Sequence, residues 1–443
     1  MRLPSTCLSV YKGLHPGEAV WAVSGVRTGF PWSFAFRDAG AAPIIGGMTA
    51  VYPAEKDHPA VPMGEIYAGH PPVSRIAFPS GHEGWLVTRY DDVRTVFSDP
   101  RFSRNLLYPG APCLIEPGDF STGEHSILNM DPPDHTRLRR LSAQAFTVRR
   151  IAALRPRIQE IADELLAAMV AHGPTANLVE EFAFPLPTLV MCELLGVPFA
   201  GRERFRQWSR VIVTPIQHTP AEVERARRDG AEDMAALVAE KRSRPADDFL
   251  SALVHARDED GDRLTEPELI DLATQLLLAG HETTVSLIGC GVVLLCRHPE
   301  QLAALRADPA LTPGAVEEIM RYDGPVDSSL LRVALEDVPL SGVLVRRGEA
   351  VLAHVGAANR DENAFPSATE FDIRRKDAQQ LGFGHGIHFC LGAALARLEG
   401  EIALRTLVDR LPGLDLAVPW ETITWRPPLS VRGPEEVPVA WQG

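Results

Sequence analysis

The chain has 443 residues, 45% of them hydrophobic and 23% charged, which describes a globular protein with a sizeable core. Its formal net charge of −14 argues against nucleic acid as the main partner. Its six cysteines (Cys7, Cys113, Cys192, Cys290, Cys296 and Cys390) are scattered without a C-x-x-C pair, which fits a reducing, cytoplasmic setting rather than a disulfide framework.

Residues 1–47 carry Gly and Pro breakers and no sustained hydrophobic period, so they are expected to be a disordered extension or a misassigned start. The N-terminus lacks the uninterrupted apolar core of a signal peptide. The longest apolar run, Val285 to Cys296, is too short to span a bilayer, so no membrane association is expected. From Glu83 the chain reads as structure: "GWLVTR" predicts a strand and "YDDVRTVFSD" a short helix stopped by Pro100. Apolar residues at three and four spacing predict helices over 134–146, 150–171, 180–195, 199–213, 220–242, 266–297, 299–307, 312–322 and from Cys390 to Leu411. Strand candidates cluster at 75–89 and 330–355. With no repeat and no Ser/Gly linker, residues 48–443 read as one mainly α domain with a minor β part.

Three helical stretches place polar groups where chemistry needs them. "DPPDHTRLRRL" opens with Asp131 as a candidate cap and prolines suited to a first turn. His135 and Arg139 then lie four apart on one face and suit a carboxylate, whereas Arg137 and Arg140 are expected on a solvated basic face. In "LATQLLLAGHETTVSLIGC" the helix is apolar all round, yet carries Glu282, Thr283 and Thr284 in its middle. Gly280 weakens it there, and a threonine hydroxyl can take the i−4 carbonyl, so a local kink is expected. In "EEIMR", Glu318 and Arg321 stand one turn apart and can pair.

"FGHGIHFCLG", Phe383 to Gly392, holds a single cysteine among glycines, histidines and aromatics. Cys390 has three readings: a buried structural cysteine, a nucleophile with a neighbouring base, or an axial ligand to haem iron. Gly384, Gly386 and Gly392 permit positive φ near the sulfur, so successive N–H groups can be aimed at a thiolate. The helix that follows adds its positive end.

The stretch resembles the haem loop of the cytochrome P450 family at Phe383, Gly386, His388, Cys390 and Gly392, and the resemblance covers roughly residues 60–440. It implies haem b with Cys390 as the axial thiolate, Phe383, Gly384 and Gly392 in the cofactor loop, and His135, Arg139, Arg332 and His388 on the propionates. It implies that Ala279, Gly280, Glu282 and Thr283 form the oxygen-activation motif, with Thr283 assisting at oxygen and Glu282 relaying protons. Glu318 and Arg321 would form a buried structural pair. The family's third member is often an arginine before the phenylalanine of "ATEFDI", where this chain has Glu370, so either the triad is incomplete or a neighbour such as Arg360 or Arg374 substitutes.

The implied activity is insertion of one oxygen atom into a bulky, mostly apolar small molecule, such as a polyketide, macrolide or peptide product. The alternatives are a non-catalytic haem sensor or carrier, and an oxidase that couples substrate radicals. The chain contains no flavin, nicotinamide or cluster-binding signature, so electrons are expected from a ferredoxin and its reductase. Arg140, Arg149, Arg150 and Arg397 are the candidate docking cations. A monomer is expected. Segments 104–128, 208–219 and 325–331 are the expected pocket walls.

Overall fold

The computed structural model describes residues 50–54, 61–115, 123–198, 201–213, 218–256, 261–377, 379–426 and 431–442. The extension expected over 1–47 lies outside them.

The first third of the domain mixes strands and helices: β1 (Ala50–Val51), α1 (Met63–Tyr67), β2 (Val73–Ala77), β3 (Glu83–Val87), α2 (Tyr90–Ser98) and β4 (Phe102–Ser103). Helices then dominate: α3 (Asp134–Ala145), α4 (Val148–Ala153) and α5 (Arg155–Ala171), followed by the short β5 (Thr175–Asn177). Next come α6 (Pro185–Leu194), α7 (Arg202–Val213), α8 (Pro220–Ser243), α9 (Phe249–His255), α10 (Glu266–Arg297), α11 (Pro299–Ala307) and α12 (Thr312–Asp323). β6 (Arg332–Ala334), β7 (Val338–Leu340), β8 (Val343–Val345), β9 (Ala350–Ala353) and α13 (Val355–Ala358) precede the cysteine loop. After the loop run α14 (Ala393–Arg410), β10 (Asp415–Leu416) and β11 (Pro438–Ala440).

The mainly α reading with a minor β part holds. Six strands pair in the order β1-β2-β3-β9-β6-β4, and β10-β11-β5 and β7-β8 form two smaller sheets. The bounds predicted for α10 and α11 match, because each begins at a proline-marked start: Thr265 and Glu268 form a capping box ahead of α10, and Pro299 opens α11. Two predicted helices are interrupted. Pro156 restarts the chain as α5 after α4, and a π-turn at Val179–Ala183 precedes Pro185 at the head of α6. A proline lacks the N–H that would continue the preceding turn. The seven-residue α9 escaped prediction because it is too short to display a period; Asp248 caps it by accepting from the Ser251 N–H at 2.7 Å.

α10 is the axis of the main core. Both its faces are buried, with Leu287, Ile288, Val292 and Val293 each at most 1% exposed. It is long and apolar enough to cross a bilayer, but its apolar residues are instead packed inside the protein. α10 is helical throughout from Glu266 to Arg297, including the turn around Gly280 where a kink is expected. Gly280 serves a close approach: a Cβ there would lie 2.7 Å from the Met191 sulfur on α6.

Candidate functional site

The cysteine loop closes on itself before α14 begins. The Cys390 N–H donates to the Phe383 carbonyl at 2.9 Å. Gly384 and Gly386 take the positive φ expected of them, +74° and +71°. A Cβ on Gly386 would also sit 2.5 Å from the Phe97 carbonyl oxygen, so the loop lies directly on the end of α2. Gly392 departs from expectation, with φ −86°; its role is nearness, since a Cβ there would be 4.0 Å from the Cys390 sulfur. The sulfur lies deep in the molecule and faces the cavity. Burial pushes its thiol pKa up, while the Gly392 N–H and the Arg139 and Arg397 guanidiniums pull it back. Arg397 stacks 4.3 Å over the Phe383 ring and pairs with Glu317, so it braces the loop.

Beside the sulfur, four predicted cofactor residues converge. The His135 and His388 rings are 4.3 Å apart, and Arg139 and Arg332 line the same cavity. Burial, with neighbouring cations adding repulsion, lowers His135 to about 4 and His388 to about 2. Burial and Arg104 lower Arg332 to about 9. His388 Nε2 and Arg332 Nε are buried and have no hydrogen-bond partner among the described residues. So many crowded, desolvated donors fit a ligand bearing more than one negative charge. The residues therefore fit haem: a sulfur ligand with a cationic cradle for two propionates beside it.

Asp131 does not cap α3. Pro133 occupies the cap position, and the Asp131 carboxylate instead accepts from the Ser103 hydroxyl and from the Arg104 N–H at 3.0 Å. Nor does Arg137 sit on a purely solvated face: it pairs with Glu268, the capping-box residue of α10, and with Asp262. α3 is thereby joined to the start of α10.

Across the cavity from the loop runs the middle of α10. Ala279, Gly280, Glu282, Thr283 and Thr284 all contribute to the cavity wall. Thr283 Oγ1 donates to the Ala279 carbonyl at 2.6 Å and Thr284 Oγ1 to that of Gly280 at 3.0 Å, the back-bonding expected of threonine in a helix. The Glu282 carboxylate is buried and lies 2.8 Å from Nη2 of Arg426.

The cavity encloses about 480 Å³, a size suited to small molecules. All three predicted wall segments contribute: Arg104, Leu114, Ile127 and Leu128 from the first, Ile212 from the second, and Pro325 to Leu330 from the third. Sequence reasoning missed the C-terminal contributors Arg426, Val431 and Arg432, and also Glu399 of α14. Glu399 is 1% exposed, and neither of its oxygens has a hydrogen-bond partner among the described residues. No local spacing signals any of these.

Glu318 and Arg321 pair as predicted, at 2.7 Å with each side chain 1% exposed. The third member is Arg375, whose Nε lies 3.3 Å from Glu318, and not Arg360 or Arg374. Arg360 is turned to the Tyr322 carbonyl and stacks over the Tyr322 ring, and Arg374 is exposed. Glu370 takes part only through its backbone carbonyl, which accepts from Arg321 at 2.8 Å.

Comparison with known proteins gives one picture. The cytochrome P450 family profile matches residues 202–412. The chain is 46% identical over 372 residues to cytochrome P450 monooxygenase PikC of Streptomyces venezuelae, covering 84% of this chain and 88% of that protein. It is 47% identical over 371 residues to the mycinamicin IV hydroxylase/epoxidase of Micromonospora griseorubida, covering 84% and 92%. Among solved structures, the LnmA cytochrome P450 hydroxylase of the leinamycin biosynthetic pathway of Streptomyces atroolivaceus superposes with a TM-score of 0.81 at 43% identity, over 89% of this chain and 100% of that one.

Proposed function

The chain belongs to the cytochrome P450 family of haem-thiolate oxidoreductases, and on that premise we propose that it oxygenates a bulky, mostly apolar natural product of the polyketide, macrolide or peptide type. Being a monooxygenase by kinship, it is an enzyme, and the non-catalytic haem carrier is set aside. The observation that carries the reading is one cavity walled both by the Cys390 loop with its cationic cradle and by Glu282 and Thr283. Its remaining walls are largely apolar, with hydroxyls from Ser328 and Ser329. The named relatives support the substrate class: one acts on mycinamicin IV as hydroxylase and epoxidase, and another belongs to leinamycin biosynthesis.

Cys390 would supply the thiolate ligand to haem iron, and His135, Arg139, Arg332 and His388 would hold its propionates. When bound, haem ligated by a thiolate supplies the iron chemistry that cleaves the O–O bond. The protein's own work is to orient substrate, exclude water and move protons. Thr283 Oγ1 donates its hydrogen bond to the Ala279 carbonyl, which leaves the hydroxyl oxygen able to accept from a water in the cavity. Glu282, one residue earlier on the same helix, carries protons inward from solvent. A separate ferredoxin and its reductase supply the electrons, in a cytoplasmic, monomeric enzyme. Arg149 is exposed and suited to docking an acidic partner, whereas Arg397 and Arg150 are engaged with Glu317 and Asp247.

The test is turnover of a panel of macrolides, linear polyketides and cyclic peptides with purified holoprotein, surrogate ferredoxin and its reductase. A product one oxygen atom heavier than its substrate is expected. Dimerised or cyclised products without added oxygen would replace the proposal with radical coupling.

A further inference from the structure

The C-terminal hairpin reaches back to the middle of α10. The isolated bridge between Trp425 and Pro434, and the Arg426 N–H donating to the Gly433 carbonyl at 2.9 Å, set its two arms side by side. Gly433 lets the hairpin lie directly on the helix, since a Cβ there would be 2.3 Å from Ser286 Oγ. The hairpin carries two arginines. Arg432 grips the buried carboxylate of Asp323 at the end of α12, with its Nη2 donating at 3.0 Å, and stacks over Trp425. That contact anchors the hairpin. Arg426 faces α10 with its side chain 9% exposed.

Glu282 and Ser286 are four residues apart, so they project from one face of α10. The Arg426 guanidinium spans both: Nη2 lies 2.8 Å from Glu282 Oε2, and Nη1 donates to Ser286 Oγ at 3.1 Å. Glu282 Oε2 accepts no well-aligned hydrogen bond among the described residues, so its tie to Arg426 is electrostatic rather than directional. The other near group, His281 Nδ1, is 3.7 Å from Oε1, and burial keeps that ring neutral by lowering its pKa. Arg426 is thus the cation that faces the Glu282 carboxylate among the described residues.

We propose that Arg426 is a positioning residue for proton delivery: with Ser286 as its second anchor, it holds Glu282 at the cavity wall and balances its buried charge. This rests on the reading of Glu282 as the proton relay. To carry a proton, the carboxylate takes one from a solvent water, leaves Nη2, releases the proton toward the cavity and returns as an anion. A paired but poorly aligned contact suits such a cycle, because it stabilises the charged state without locking the side chain. Without the guanidinium the buried charge has no compensation, and the side chain loses its resting position.

The test compares Arg426→Met, Arg426→Lys, Glu282→Gln and the Arg426→Met/Glu282→Gln double variant as haem-loaded proteins. The first readout is thermal unfolding followed by tryptophan fluorescence. Arg426→Met should lower the midpoint, and adding Glu282→Gln should restore part of the loss, because the stranded charge is gone. The second is oxygen reduction with surrogate ferredoxin and NADPH, no organic substrate added, reading the ratio of water to hydrogen peroxide and the solvent deuterium isotope effect. Four-electron reduction of dioxygen to two waters consumes four protons, and two-electron reduction to peroxide consumes two, so impaired delivery favours peroxide. Arg426→Met and Glu282→Gln should each cut water formation by roughly tenfold or more. The double variant should be no worse than either, and Arg426→Lys should recover most of the water. Additive losses in the double variant, or an unchanged ratio in Arg426→Met while Glu282→Gln shifts it, would overturn the role of Arg426. An unchanged ratio in Glu282→Gln would instead refute the relay itself.

Discussion

Arg321→Ala should abolish folded holoprotein rather than merely slow it. The Arg321 guanidinium is 1% exposed and makes five hydrogen bonds: two to Glu318, and one each to the carbonyls of Asn359, Ala368 and Glu370, all at 2.7 to 2.8 Å. Removing one partner of a buried ion pair costs about 3–5 kcal/mol. Each of the three stranded carbonyls adds about 1 kcal/mol or more where water does not reach. The total approaches the whole stability of an ordinary domain, about 5–15 kcal/mol. The damage also falls near the cofactor. Asn359, whose carbonyl Arg321 holds, accepts from the Leu381 N–H at 2.8 Å through its side chain, two residues before Phe383. Arg375→Ala is the graded control: its side chain is 9% exposed against 1% for Arg321, so about 1–3 kcal/mol is expected. The assay is haem content per folded protein together with the denaturant midpoint. An Arg321→Ala protein that retains haem and unfolds within about 1 kcal/mol of wild type would refute the account, because it would mean that the buried cation is dispensable.

The remaining predictions concern the site. Cys390→Ser should lose the red-shifted absorption band that the reduced wild type shows with carbon monoxide, and a wild-type spectrum typical of histidine ligation would overturn the thiolate assignment. Thr283→Ala should keep haem but divert reducing equivalents to hydrogen peroxide, whereas Thr284→Ala should not; Thr284 is 1% exposed and donates to the Gly280 carbonyl, and the measurement is product formed per reductant consumed. Burial holds the Glu399 carboxyl pKa well above its ordinary value, so the folded state binds that proton more tightly than the unfolded state. Its stability contribution is full below the unfolded pKa of about 4.3 and is lost as pH rises toward the folded value. Glu399→Gln should therefore gain midpoint temperature relative to wild type between pH 4 and pH 8, and a difference that stays flat over that range would show that Glu399 does not titrate in this way.

Most of the helical frame could be read from the chain because its signals are local. Apolar periodicity marked α10 and α11 to the residue, and the loop at Cys390 carried its glycines, histidine and cysteine within ten positions. The errors came where two local signals competed. Pro156 and Pro185 sit inside apolar periods that look continuous, and the missing N–H prevailed over the pattern. Gly280 suggested a kink by propensity, and the Met191 side chain pressed against it gives the glycine a second role, as a packing requirement. Asp131 had the spacing of a cap, yet Ser103 and Arg104 claimed its carboxylate from the strand side.

The arginines that escaped share a different cause: each is defined by a partner distant in sequence. Arg426 acquires its meaning from Ser286, 140 positions away, and Arg432 from Asp323, 109 positions away. Arg375, one residue beyond Arg374, supplies the cation of the Glu318 triad, because the backbone after Phe371 turns at Asp372 and returns the side chain to Glu318. The Asp372 N–H itself donates to Glu318 at 2.9 Å, which fixes that turn. A buried charge must find a counter-charge wherever the fold offers one, so the identity of the partner follows from topology while the need for it is visible in the chain. Glu282 illustrates both halves. A glutamate in the middle of an apolar helix announces that something must balance it, and only the return of the C-terminal hairpin to α10 makes that something Arg426.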